Sequence, residues 1–341
     1  METILFPSEW HQQSGVQLTW PHAETDWQPI LNEVEVCFCN IAKAITNYEN
    51  LLIVTPDVEH VKMTLQEKGI ALENVRFFSC ETNDTWARDH GGITVLKNGK
   101  PVVLDFKFDG WGLKFTANFD NLITSKLNKA GYFLAEYENK LNFVLEGGSL
   151  ESDGKGTLLT TSECLLSPNR NGEWNKAEIE AYLKKQLGLK RVLWLNHGFL
   201  EGDDTDSHID TLARFCSEDT IAYVKCEDEN DIHFSALQAM ENELKTFTTL
   251  SGDSYRLLAL PMVDAVYYDN ERLPATYANF LIINNAVLYP TYNQPENDKK
   301  AGEMLKMAFP EREIIGINCT ALIKQHGSLH CVTMQYPEGI I

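Results

Sequence analysis

Near its C-terminus the chain carries a thiol between a glycine loop and an apolar run, in Gln325-His326-Gly327-Ser328-Leu329-His330-Cys331. Only the thiolate is a nucleophile, so chemistry at Cys331 needs a base or positive charge beside it. Otherwise Cys331 is a small buried hydrophobe. In Asp206-Ser207-His208-Ile209-Asp210, an extended backbone would turn His208 and Asp210 to one face, pairing a base with a cation-binding carboxylate. An ordinary polar surface turn fits the same residues. In Asn83 to Gly92, Trp86 stands three residues before Asp89, and an aromatic ring beside a carboxylate suits a flat delocalised cation. The plain alternative is a capped turn with Arg88 and Asp89 paired at the surface. In Leu145-Glu146-Gly147-Gly148, two glycines permit a close backbone approach and set Glu146 against whatever approaches. Nothing in the spacing alone brings these four groups together.

The elements that must position them alternate between helix and strand. Apolar residues at Ile30, Leu31, Val34, Phe38, Ile41 and Ile45 predict a helix within 26–48, followed by a strand at 51–56, a helix at 58–68 and a strand at 75–79. Further on, a helix is predicted over 176–187, capped by Gly188, then a strand at 191–195. A helix over 298–309, stopped by Pro310, precedes a strand at 313–317. A weaker pattern repeats five times: a polar loop followed by an apolar strand. The loops contain Asp89, Gly148, Asp210, Phe280 and Cys331, spaced 51 to 70 residues apart. Units this irregular do not make a solenoid, but five of them closing radially would bring their loops to one end of a common axis.

The chain has 341 residues, 43% of them apolar, with no low-complexity linker, and one continuous domain spanning 1–341 is expected. Its net charge of -20 disfavours nucleic acid and anionic membranes as partners and favours a cationic small molecule. No apolar run approaches the roughly 20 residues needed to span a bilayer, and the first residues do not read as an export signal. The eight cysteines include no CxxC pair and no Cys/His set with zinc-site spacing, so reduced thiols in the cytoplasm are expected. Homo-oligomerisation is left open.

Several stretches taken together resemble the agmatine deiminase branch of the guanidino-group-modifying enzymes, also described as bacterial-type peptidylarginine deiminases. They are TWARDHGG, FDGWG at 108–112, LEGGSLESDGKGTLLTT with LLSPNRN, GDDTDSHIDTLARF, YANFLIINNAVLYP and HGSLHCVTMQYP, in family order over nearly the whole chain. The resemblance implies an α/β fold of five propeller-like blades around a central active site. It also implies Cys331 as nucleophile, His208 as general acid/base supported by Glu146, Asp89 and Asp210 as the guanidinium clamp, and Trp86 beside the substrate chain. No metal or cofactor is implied. The chain departs from the family pattern in lacking a glycine run before the catalytic cysteine and in having Gly91-Gly92 where Gly-Pro is common. Agmatine is the expected substrate, with peptidyl or free arginine as alternatives. Arg88, Arg214 and Arg256 are the candidates for binding an arginine α-carboxylate. A metal hydrolase using His208, Asp210, Asp89 and His90 is the rival of a different class.

Overall fold

The computed structural model describes residues 3–341. Its strands form five principal sheets that share one pairing pattern. In each, a leading strand pairs antiparallel with a second, and the second pairs parallel with a third after a helical crossover. The first unit uses Ile93–Lys97, Lys100–Lys107 and Glu136–Val144. The second uses Glu151–Ser152, Thr157–Thr161 and Arg191–Leu195. The third uses Ala213–Phe215, Thr220–Lys225 and Arg256–Pro261, and the fourth Leu281–Ile283, Ala286–Thr291 and Glu313–Asn318.

The fifth unit joins the two ends of the chain. Its leading strand is the C-terminal Thr333–Pro337, paired antiparallel with Gln13–Thr19 near the N-terminus. Parallel strands Asn50–Thr55 and Val75–Ser79 complete it. The repeat anticipated from the five loops is thus a repeat of strand pairing, in an α/β fold.

The crossover helices follow from amphipathic stripes. Leu31–Thr46 buries Val34, Phe38, Ile41 and Ile45, as its 3.6-residue spacing predicts. Lys176–Leu187 matches its predicted span; Asn175 and Glu178 form a capping box, and Gly188 ends it at φ +69°. Several ends differ from the prediction. The 26–48 helix begins at Leu31 because a 3₁₀ turn, Gln28–Ile30, precedes it. The last crossover helix starts at Pro295 rather than 298: proline suits a first turn, where its missing N–H has no partner to lose. Asp298 instead receives hydrogen bonds from Tyr277 Oη and the Tyr292 and Gln294 amides.

One local prediction is overturned. The segment 206–210 is not extended: Asp206 and Ser207 lie at φ +64° and +60°, and Ile209–Thr211 is a 3₁₀ turn. Asp203 bends it, accepting from the Ser207 amide at 2.7 Å and the Thr205 hydroxyl at 2.6 Å. Period-two alternation therefore does not place His208 and Asp210; a tight turn does.

Candidate active site

Each leading loop delivers its side chains just before its strand, and all five meet. Asp89 projects from the one-turn helix Ala87–His90, whose Arg88 amide donates to the Cys331 carbonyl at 3.1 Å. The turn Gly147–Ser149 packs against it, with the Gly148 amide donating to Asp89 Oδ1 at 3.0 Å. A Cβ on Gly148 would lie 2.5 Å from His208 Nδ1, 2.8 Å from Asp89 Oδ1 and 3.2 Å from Asp210 Oδ2. Glycine is required here because the backbone passes between these three groups. Cys331 Sγ lies 4.0 Å from Asp210 Oδ2.

All six residues singled out in the sequence are buried and share this region. Arg88 and Asp89, which could have formed a surface pair, are buried as well. His208 lies 3.6 Å from Asp89 and 3.8 Å from Glu146, distances of charge pairing rather than hydrogen bonding, and neither ring nitrogen has a hydrogen-bond partner. Trp86 packs against Trp27 and Trp111, and Gly327 lies flat against its ring, where a Cβ would come within 2.1 Å.

Other contributors were not identified from the sequence. Asn279, on the fourth loop, accepts from the His330 amide at 2.8 Å and the Cys331 amide at 3.3 Å, and its Oδ1 is 3.4 Å from Cys331 Sγ. Its signal was its position: it adjoins Phe280, the marker of the fourth loop. His330 bridges Asp210 Oδ2 at 2.7 Å and Glu9 Oε2 at 2.8 Å. Arg170, inside LLSPNRN, places Nε 2.9 Å from both Glu146 oxygens and Nη1 2.5 Å from Asp206. Trp111, inside FDGWG, donates its indole N–H to Asp89 Oδ2 at 3.0 Å.

The electrostatics divide the carboxylates. Burial, reinforced by Asp210 and Glu146 against the opposing pull of His208, raises Asp89 to about 6. Asp210 is buried too, but its hydrogen bond and charge pairing with His330 hold it below the usual carboxylate range. Glu146 is held low by Arg170 despite burial. His208 is pushed well up: burial opposes its charge, but Asp89, Cys164 and Glu146 outweigh it. The Cys331 thiol is also pushed well above its ordinary value, first by burial and then by Asp210 and Asp89.

A cleft of about 640 Å³, counting its open mouth, is lined by Cys331 and Asp89, by Trp86, Trp111 and Phe115, and by Asp26, Asp84 and Asp204, of which Asp26 is exposed and Asp84 turns its carboxylate inward to the Trp27 indole N–H at 3.0 Å. None of Arg88, Arg214 and Arg256 lines it. Arg88 and Arg214 lie inside the hub, where Arg214 pairs with Glu9 and Glu151; Arg256 is exposed on its strand. Of the rival metal set, His90 turns away, its Nε2 3.2 Å from Thr19 Oγ1. A different trio could hold a metal: Glu146, Cys164 and His208 offer ligand atoms within 4.8 Å of one another.

A thiol, an imidazole and carboxylates gathered where five α/β units meet define an enzyme of the class that hydrolyses amidine carbon–nitrogen bonds. The chain belongs to the Porphyromonas-type peptidyl-arginine deiminase family, whose model matches residues 5–337. A Porphyromonas gingivalis structure assigned provisionally to arginine deimination is 54% identical, with a TM-score of 0.94, covering 99% of each chain. The C. jejuni agmatine deiminase, as a Cys-to-Ser variant with substrate bound, is 40% identical at a TM-score of 0.93, covering 100% of this chain and 98% of that one. A Legionella pneumophila (strain Paris) protein provisionally named agmatine deiminase is 33% identical over 98% of this chain and 95% of its own length.

Proposed function

We propose that the protein hydrolyses agmatine to N-carbamoylputrescine and ammonia through a covalent intermediate on Cys331. The observation that carries the choice of substrate is the cleft lined by carboxylates besides the clamp. Agmatine is cationic at both ends. Its guanidinium suits Asp89 and Asp210, its distal ammonium suits Asp26 and Asp204 farther along the cleft, and its apolar linker suits the walls of Trp86 and Trp111. An arginine α-carboxylate would face those carboxylates with no lining arginine to receive it.

In this reading Asp89 and Asp210 hold the guanidinium in plane and localise its charge. Its arrival offsets the two carboxylates that keep the thiol neutral, so Cys331 loses its proton to solvent and attacks the central carbon. Protonated His208 gives its proton to the departing nitrogen, and ammonia leaves a thiouronium on Cys331. Neutral His208, oriented by Glu146, then takes a proton from water as that water attacks the same carbon. The carbon–sulfur bond breaks, the thiolate recovers a proton from the collapsing intermediate, and the ureido product departs. Asn279 and Trp111 fix the thiol loop and Asp89 during these steps. The eight free, buried cysteines accord with a reducing compartment, which we take to be the cytoplasm.

The test is to incubate the protein with agmatine, free arginine and a blocked arginyl peptide and measure ureido product from each. Agmatine is expected to give by far the highest kcat/KM. Preference for arginine or the peptide would overturn the substrate while leaving the chemistry in place.

A further inference from the structure

Cys164 takes no part in the reaction just described, yet its thiol is buried behind the catalytic imidazole. It lies on the one-turn helix Ser162–Leu165, capped by Thr161. Its Sγ, a Glu146 oxygen and a His208 ring nitrogen are mutually within 4.8 Å. The three come from separate segments, so no sequence spacing announces them. We infer that Glu146, Cys164 and His208 form a binding site for one thiolate-seeking divalent cation of the Zn2+ type, and that occupancy of this site switches catalysis off.

The donor set is one carboxylate oxygen, one thiolate and one imidazole nitrogen, each a zinc ligand in its own right. Both His208 nitrogens are buried and lack hydrogen-bond partners, a condition that in a folded protein marks a place for something else. Zinc–ligand bonds of about 2.0–2.3 Å put tetrahedral ligand atoms roughly 3.3–3.8 Å apart, so separations that are all within 4.8 Å would close by no more than about 1.5 Å, and His208 Nε2 already lies 3.8 Å from Glu146 Oε2.

Charge does not forbid the ion. Arg170 sits on Glu146, but it is already offset by Asp206 at 2.5 Å and by the Thr205 carbonyl at 2.8 Å. Glu146 can keep one oxygen on Arg170 and give the other to the metal. The Cys164 thiol proton and the His208 imidazolium proton both pass to solvent on binding, so one thiolate and one carboxylate balance the two positive charges. Asp89, 3.6 Å from His208 Nδ1, lines the cleft in front of the trio, and a cleft bordered by carboxylates draws a cation toward it. Once bound, the ion holds the His208 lone pair and a Glu146 oxygen, leaving neither free to activate water.

The test uses Co2+, whose bonds to thiolate give a near-ultraviolet charge-transfer band, and so does not depend on any deiminase activity. In Cys331→Ala protein, one equivalent of Co2+ is expected to produce the band and Zn2+ to displace it. The band should vanish in Cys331→Ala/Cys164→Ser and also in Cys331→Ala/His208→Ala, which leaves the thiol in place. In a parallel assay, Cys164→Ser or Cys164→Ala should still turn over substrate while Zn2+ inhibits it roughly tenfold or more weakly than the parent. Absence of the band in Cys331→Ala, its survival in either double variant, or unchanged zinc inhibition of the Cys164 variants would overturn the inference.

Discussion

In the proposed reaction Asp89 and Asp210 face the same substrate group, but they do not titrate alike. Asp89 sits near 6 in the empty site because burial and two carboxylate neighbours oppose its charge, whereas Asp210 is held low by His330. A carboxyl with a raised pKa is neutral below that value, and a neutral Asp89 cannot hold a guanidinium. Since kcat/KM reports the free enzyme, its fall with decreasing pH should steepen below about 6, where protonation of Asp89 adds to that of the thiol. Steady-state kinetics from pH 4 to 8 with agmatine check this; no steepening until pH falls to about 4 would contradict it. The thiol makes the converse prediction. Because burial and the two carboxylates raise it, iodoacetamide should alkylate Cys331 slowly in the free enzyme at pH 7 and faster as pH rises. Peptide mapping of the alkylated site measures this, and rapid labelling at pH 7 would show that the thiolate exists before substrate arrives. The six candidate site residues were legible in the sequence as residue types in polar loops, and their roles only through the family resemblance. Asn279 and His330 were not, because their roles lie in contacts across 51 and 321 residues of chain, to His330 and Glu9 respectively.

The loops position these groups through backbone geometry, and Gly148 shows how little room is left. Its missing side chain is the space occupied by His208, Asp89 and Asp210. Gly148→Ala should leave the sheets intact, with a stability loss of about 1–3 kcal/mol, and lower kcat by on the order of 100-fold through displacement of the imidazole and clamp. Circular dichroism, urea unfolding and steady-state rates separate the two effects; normal turnover would contradict the placement. The elements themselves were read well where periodicity was strong. The helix Lys176–Leu187 and the strands Val75–Ser79 and Arg191–Leu195 fall at their predicted residues. Reading failed at 206–210, where Asp203 hydrogen bonds and two left-handed residues override alternation.

For the whole molecule, the hub is joined by charge as well as by strands. Arg214, fully buried, donates to Glu9 at 2.7 Å, to Glu151 and to the Phe280 carbonyl at 2.5 Å, tying the N-terminal segment to three units. Arg214→Ala leaves buried carboxylates unpaired and should cost roughly 3–5 kcal/mol in urea unfolding at pH 7. Burial alone would raise Glu9, but Arg214 and His330 hold it well below its unfolded value of about 4.3. Its contribution is therefore fully present above that pH and is lost as pH falls toward the folded value, so the gap between wild type and variant should narrow in acid. A gap independent of pH would assign the loss to packing alone. The fivefold plan was visible in the sequence only as five irregular loops; the pairing of Thr333–Pro337 with Gln13–Thr19 joins chain ends about 300 residues apart, beyond any local signal.

These scales meet in one event, the bond between Cys331 and the guanidinium carbon. The direct measurement is acid quenching during turnover of agmatine, followed by intact-mass analysis and peptide mapping. The account predicts a covalent adduct of agmatine less ammonia on Cys331, with neither adduct nor turnover in Cys331→Ala. An adduct on another cysteine, or turnover near the wild-type rate by Cys331→Ala, would contradict it.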